Sequence, residues 1–265
     1  FAASTVGGAL SATATTGNIT DSGALTITGT SAFVTIANDA TITLDQGGHA
    51  FTGALLITTN DTSTDTAGDV TISAGSSTVL DFGNSTIDGD LIATSSNATG
   101  ITDSGAMTVR GTASFQTTAT NADISLGTST LGDGTGTDTI TLNTTGSTGH
   151  ATLDNGTTVV ALGTSAASLV TNVGGNLTLT SGAAAGITDS ATVTVGGNLI
   201  ATTDANSGVI DLGTLAVDGT IALTTHNNGA ATVVNDAGLN FAASTVGGAL
   251  SATATTGNIT DSGAL

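Results

Sequence analysis

A chain of 265 residues with a single Arg, no Lys, twenty acidic residues and a formal charge of −19 offers no basic patch with which to hold nucleic acid or an anionic membrane surface. It lacks Pro, Cys, Trp and Tyr, and every acid is Asp, so the Glu and Lys that populate exposed helix faces are missing and helix is a poor expectation. What remains is Thr, Ser, Asn, Asp and 38 Gly around Val, Ile, Leu and Ala, a vocabulary for short strands joined by tight turns, and 38% hydrophobic content argues against disorder.

The chain opens on FAASTVGGALSATATTGNITDSGAL at 1–25, which returns unchanged at 241–265, an offset of 240 residues. The identity implies a tandem array: residues 1–240 are one unit of a continuous structure and 241–265 begin the next identical one. Within the unit, Ile-Thr-Asp-Ser starts at Ile19, Ile101 and Ile187, and appears once more at Ile259, so three diverged modules make one unit. The first module continues as GALTITGTSAF at 23–33 and the second as GAMTVRGTASF at 105–115, which places Phe33 and Phe115 at equivalent points. The third keeps only SATVTVGGNL, at 190–199.

Along the whole chain a finer element recurs, Gly-x-Leu or Gly-x-Ile followed by alternation, at Gly53, Gly89, Gly175, Gly197, Gly219 and Gly248. Leu25-Thr-Ile27, Leu177-Thr-Leu179, Val193-Thr-Val195 and Ile221-Ala-Leu223 each send one face inward and the other outward. No single short strand of this kind can bury its apolar row. Stacked coils can, so the expected fold is all-β, a parallel β-helix (β-solenoid) in which spacings of 22 or 15 residues mark one coil and about a dozen coils make a unit. At about 4.8 Å per coil the unit would be roughly 58 Å long. Its carboxylates then lie well inside a Debye length of about 8–10 Å, so rods repel one another unless divalent cations intervene.

Few residues suggest chemistry. Arg110 follows Val109 in an outward slot of its strand, and a lone cation there reads as solvated, without the partners that catalysis would need. His49, His150 and His226 lie far apart in Gly- or Asn-rich stretches without metal-ligand spacing. No Gly-x-Ser-x-Gly occurs with a plausible His and acid, so no catalytic residue is assigned and no enzyme activity is expected. Asp133 and Asp138, in Asp133-Gly-Thr-Gly-Thr-Asp138-Thr-Ile140, come close to a calcium-binding β-roll nonapeptide. They are the one candidate metal pair, for Ca²⁺, although such rolls need consecutive copies and this is one; otherwise no cofactor is expected. Thr-x-Thr pairs at 26–28, 41–43, 139–141, 178–180 and 192–194 would make an ice-binding face only at constant spacing, which they lack. No stretch approaches about 20 apolar residues, so no membrane insertion is expected.

The phrases GNITDSGALTITGTSAF, ATITLDQGGHAFTGALLI and VIDLGTLAVDGTIALTT resemble the β-strand repeats of filamentous haemagglutinin-like and other giant repetitive bacterial surface proteins. The resemblance implies a right-handed parallel β-helix, export to the cell surface or extracellular matrix, and a role in adhesion or filament formation. The leading expectation is a structural protein forming the shaft of an extracellular fibre, sheath or matrix filament. Its partners would be further copies of its own unit, along the rod and by lateral self-association. The alternatives are a surface adhesin that binds glycans or neighbouring cells, and a calcium-dependent assembly module.

Overall fold

The computed structural model describes residues 1–62, 67–127, 129–134, 137–164 and 169–265. Among them every regular element is a strand, and all paired strands run parallel, in two sheets of fifteen strands each. The chain winds alternately through the two sheets for about 11 turns, so the expected parallel β-solenoid is what forms. We call the sheet containing Val70–Ala74 the first and that containing Leu80–Phe82 the second.

One turn shows the plan. Val70–Ala74 lies in the first sheet; the chain crosses to the second for Leu80–Phe82 and Ser85–Ile87, then returns as Leu91–Ser95. The returning strand pairs in register with the one it left, Leu91 beside Val70 and Ser95 beside Ala74. A turn therefore has two unlike halves: one straight strand, and one half split by a corner into two short strands. Turns are unequal in length: one turn on from Ala231 stands Leu250, whereas one turn on from Asn143 stands Asn172. The spacing from Gly8 to Gly23 is shorter than either. Gly8 leads into Leu10–Ala14 in the second sheet and Gly23 into Leu25–Ile27 in the first, so that spacing measures a crossing between sheets and not a coil.

Alternation explains the interior. In Leu177–Ser181, Leu177, Leu179 and Ser181 are buried while Thr178 and Thr180 are half-exposed. Parallel registry then stacks each inward residue on its counterpart one turn away. A single ladder runs Leu80, Ile101, Ile124, Ala151, Leu177, Leu199, Ile221 and Phe241, every member buried. Burying each large aliphatic side chain contributes about 1.5–3 kcal/mol, and the ladder supplies it only to turns that have neighbours. Outward rows are polar: Thr58, Thr86, Thr108 and Thr130 form one such file. The Thr178 and Thr180 pair is flanked by Thr152 and Asp154 on one side and Ile200 and Thr202 on the other, so no two-column threonine face continues past it.

Candidate functional site

The aspartate of Ile-Thr-Asp-Ser does the same work in three modules. Each is held at the end of a short strand whose Ile is buried in a ladder, and each reaches one turn onward. Asp21 Oδ1 accepts the Asp45 N–H at 3.1 Å, Asp103 Oδ1 the Gly127 N–H at 2.9 Å, and Asp189 Oδ1 the Gly213 N–H at 2.7 Å. The second carboxylate oxygen meets a side chain from that next turn. Thr214 Oγ1 donates to Asp189 Oδ2 at 2.9 Å, Ser129 Oγ to Asp103 Oδ2 at 3.3 Å, and His49 Nε2 stands 3.0 Å from Asp21 Oδ2. A backbone N–H at a corner has lost its ladder partner, and a charge-assisted bond there contributes on the order of 1.5–3 kcal/mol.

The Gly-x-Leu element has its own physical cause. At Gly175, Gly197 and Gly219 its middle residue forms a second polar file, since Asn176 Oδ1 accepts the Asn198 N–H at 2.9 Å and Asn198 Oδ1 the Thr220 N–H at 2.8 Å. The file begins with Asp123 Oδ1 taking the His150 N–H at 2.7 Å and His150 Nδ1 taking the Asn176 N–H at 2.8 Å. The glycine makes room for it: a Cβ on Gly197 would collide with Asn176 Oδ1 and with the Gly175 carbonyl.

An acidic version of the same file leads from the first module into the second, where Asp69 Oδ1 accepts the Asp90 N–H at 2.9 Å and Asp90 Oδ1 the Thr112 N–H at 2.7 Å. Burial pushes the Asp90 carboxyl above the usual carboxylate range, and the charge of Asp69 adds to this, against the hydrogen bond from Thr112. A raised carboxyl pKa means that ionising Asp90 at neutral pH costs stability, a cost that fades as pH falls through its titration. Asn keeps the accepting oxygen without the charge, as Asn176 and Asn198 do. Asp90→Asn is therefore expected to stabilise the fold at pH 7 by a few tenths to about 1 kcal/mol, the figure being reduced for solvent screening. Urea denaturation at pH 7 measures it, and a destabilised variant would contradict it.

His49 departs most from its sequence reading. It lies within the strand Ile42–Phe51, fully buried, and its ring stacks on Phe51 at 5.5 Å and 23°. Nδ1 accepts the Leu25 N–H at 2.9 Å, so it carries no proton, and Nε2 faces Asp21, whose side chain is equally shielded from solvent. With both nitrogens turned to the protein, the imidazole has none to offer a substrate. Burial lowers the His49 pKa below its ordinary value, against the opposing pull of Asp21. The unfolded chain then binds a proton near pH 6.5 that the folded chain still refuses, so His49's contribution is complete above that pH and declines as pH falls toward the folded pKa. Denaturation at pH 7.0 and 5.5 should show the parent losing up to about 1 kcal/mol more than His49→Ser, which places there the residue type of Ser129. Equal losses in the two proteins would contradict it.

The other sequence candidates fall at separate places. Arg110 is exposed, in the outward slot expected, but it is paired: its guanidinium stands 2.9 Å from Asp88 Oδ1 on the adjacent turn. His150 and His226 are exposed and far from His49. Asp133 is exposed and Asp138 half-buried, in the connection between Ser129–Leu131 and Ile140–Thr145, where Gly132 and Gly134 both have positive φ; Thr135 and Gly136 lie outside the described residues. Among the described residues no group of three or more His or Asp side chains is placed to hold a metal ion. Calcium takes six to eight oxygen ligands, and these two carboxylates would supply a minority of them.

A family model described as repeats of unknown function (DUF5649) matches residues 1–58, 67–130 and 228–265, more than half of the chain. The matched segments contain the Ile-Thr-Asp-Ser copies at Ile19, Ile101 and Ile259 and leave out that of the third module. No curated protein and no solved structure matches the chain.

Proposed function

We propose that this chain, which belongs to the DUF5649 family of repeats, is a length of passive extracellular shaft, a structural rod within a fibre, sheath, matrix filament or giant surface protein. One observation carries the reading: the inward residues of each turn are sealed by the turns stacked on it, as along the ladder from Leu80 to Phe241, and the segment at 1–25 recurs unchanged 240 residues on, wound into the same two sheets. Cohesion between turns is therefore nearest-neighbour, and units can be added without changing the plan. The polar groups described above serve the stack, bonding turn to turn, which favours a scaffold over catalysis. Resemblance to the filamentous haemagglutinin-like proteins supports the extracellular setting.

Proteins with one, two and three 240-residue units, imaged by electron microscopy, test this. Thin rods that lengthen by roughly 50 Å per unit, at about 4.8 Å per turn, are expected; compact or shapeless particles would overturn the reading. Repeating the images with a calcium chelator decides whether divalent ions bridge neighbouring rods.

A further inference from the structure

The two copies of the 25-residue segment have the same sequence and lie in opposite sheets. Leu10–Ala14 runs beside Ser31–Thr35 in the second sheet, but Leu250–Ala254 runs beside Ala231–Asn235 in the first. Ile19 pairs with Ile42 in the first sheet and Ile259 with Leu239 in the second. Ser4–Val6 pairs with Leu25–Ile27 in the first, whereas Thr245, the duplicate of Thr5, bridges to Thr224 of the second.

The cause is a count of half-turns. Straight and split halves alternate along most of the chain, but at three places two straight strands follow one another: Leu55–Thr58 then Val70–Ala74, Ile140–Thr145 then Ala151–Asp154, and Ile221–His226 then Ala231–Asn235. Each such succession moves the split half to the other sheet. The motif isoleucines record it, since Ile101 pairs with Leu80 in the second sheet and Ile187 with Val160 in the first. One exchange falls in each module, and the chain changes sheets 21 times between Ser4 and Thr245, an odd number.

We infer that successive units of the array are turned by half a turn about the rod axis, so that the structure repeats only after two units although the sequence repeats after one. This rests on the shaft reading. Every outward side chain that occurs once per unit then recurs on alternate sides of the rod. Arg110, the unit's only cation, is presented to one side and then to the other, as is the exposed Ile200. A partner that recognises such a residue, including a second rod, finds equivalent sites on both sides, each side repeating at roughly 100 Å for turns about 4.8 Å apart. The shaft has no chemically distinct front and back.

The test uses a three-unit protein with Ile200→Cys in every unit, biotinylated and bound to streptavidin; the chain has no cysteine of its own. Ser125→Cys, also an exposed position of the second sheet, serves as an independent labelling site should the first disturb the fold. Electron micrographs should show straight rods with the three labels on alternating sides. Labels all on one side of intact rods would overturn the half-turn and leave the shaft reading standing. Labelled protein without rods, at both sites, would overturn the shaft reading itself.

Discussion

Gly100→Ala is expected to lower the stability of the 265-residue chain by about 3 kcal/mol or more, from two costs that act together. Gly100 has φ +98°, a backbone conformation that costs an L residue on the order of 1–3 kcal/mol. It also lies against the next turn, where a Cβ would run into the carbonyl oxygen of Asp123, its partner in the sheet. Relieving that collision means moving the strand Asp123–Leu126 away from Gly100–Asp103, which strains or breaks the ladder between the two turns. Gly17→Ala separates the contributions, because Gly17 has φ +85° with nothing within 4 Å of the added carbon. It should cost only the backbone share, about 1 kcal/mol. Equal losses for the two variants in urea denaturation would show that the close approach of turns contributes nothing.

The reach of the sequence follows from what repeats. Strand alternation and the spacing of Gly-x-Leu mark inward residues, and the ladder from Leu80 to Phe241 consists of apolar residues that alternation alone sends inward. The unchanged segment at 241–265 marks the unit. Which sheet a strand joins is not written locally, since the two copies of that segment occupy different sheets; the side depends on the number of half-turns passed since the start. The site was half legible. Ile-Thr-Asp-Ser is visible as a marker, but its carboxylate acts on a residue one turn away, across turns of unequal length. Aligning the modules on that aspartate would have exposed the signal, because His49, Ser129 and Thr214 then fall at nearly the same place after Asp21, Asp103 and Asp189. Read that way, His49 takes the place of a hydroxyl, and its burial follows from the position rather than from its residue type.

Phe115→Ala should cost about 3–5 kcal/mol, the range for emptying a fully buried aromatic position. Phe115 is 0% exposed and meets Phe82 edge to face, with ring centroids 6.4 Å apart at 87°. In its ladder it stands between Ala93 on one side and Leu142 on the other, and Phe33 likewise follows Ala12. The small residue beside each phenylalanine leaves the width that the ring occupies, so the volume of the pair is shared between neighbouring turns. That makes a compensating change informative. Ala93→Phe alone should overpack the core and cost about 1–3 kcal/mol, while Ala93→Phe with Phe115→Ala restores the volume one turn away. The double variant is expected to be more stable than the sum of the single losses by at least about 1 kcal/mol, within the range seen for residues in contact. Strict additivity in a denaturation cycle would mean that turns pack independently, and the nearest-neighbour cohesion on which a rod of free length depends would lose its physical basis.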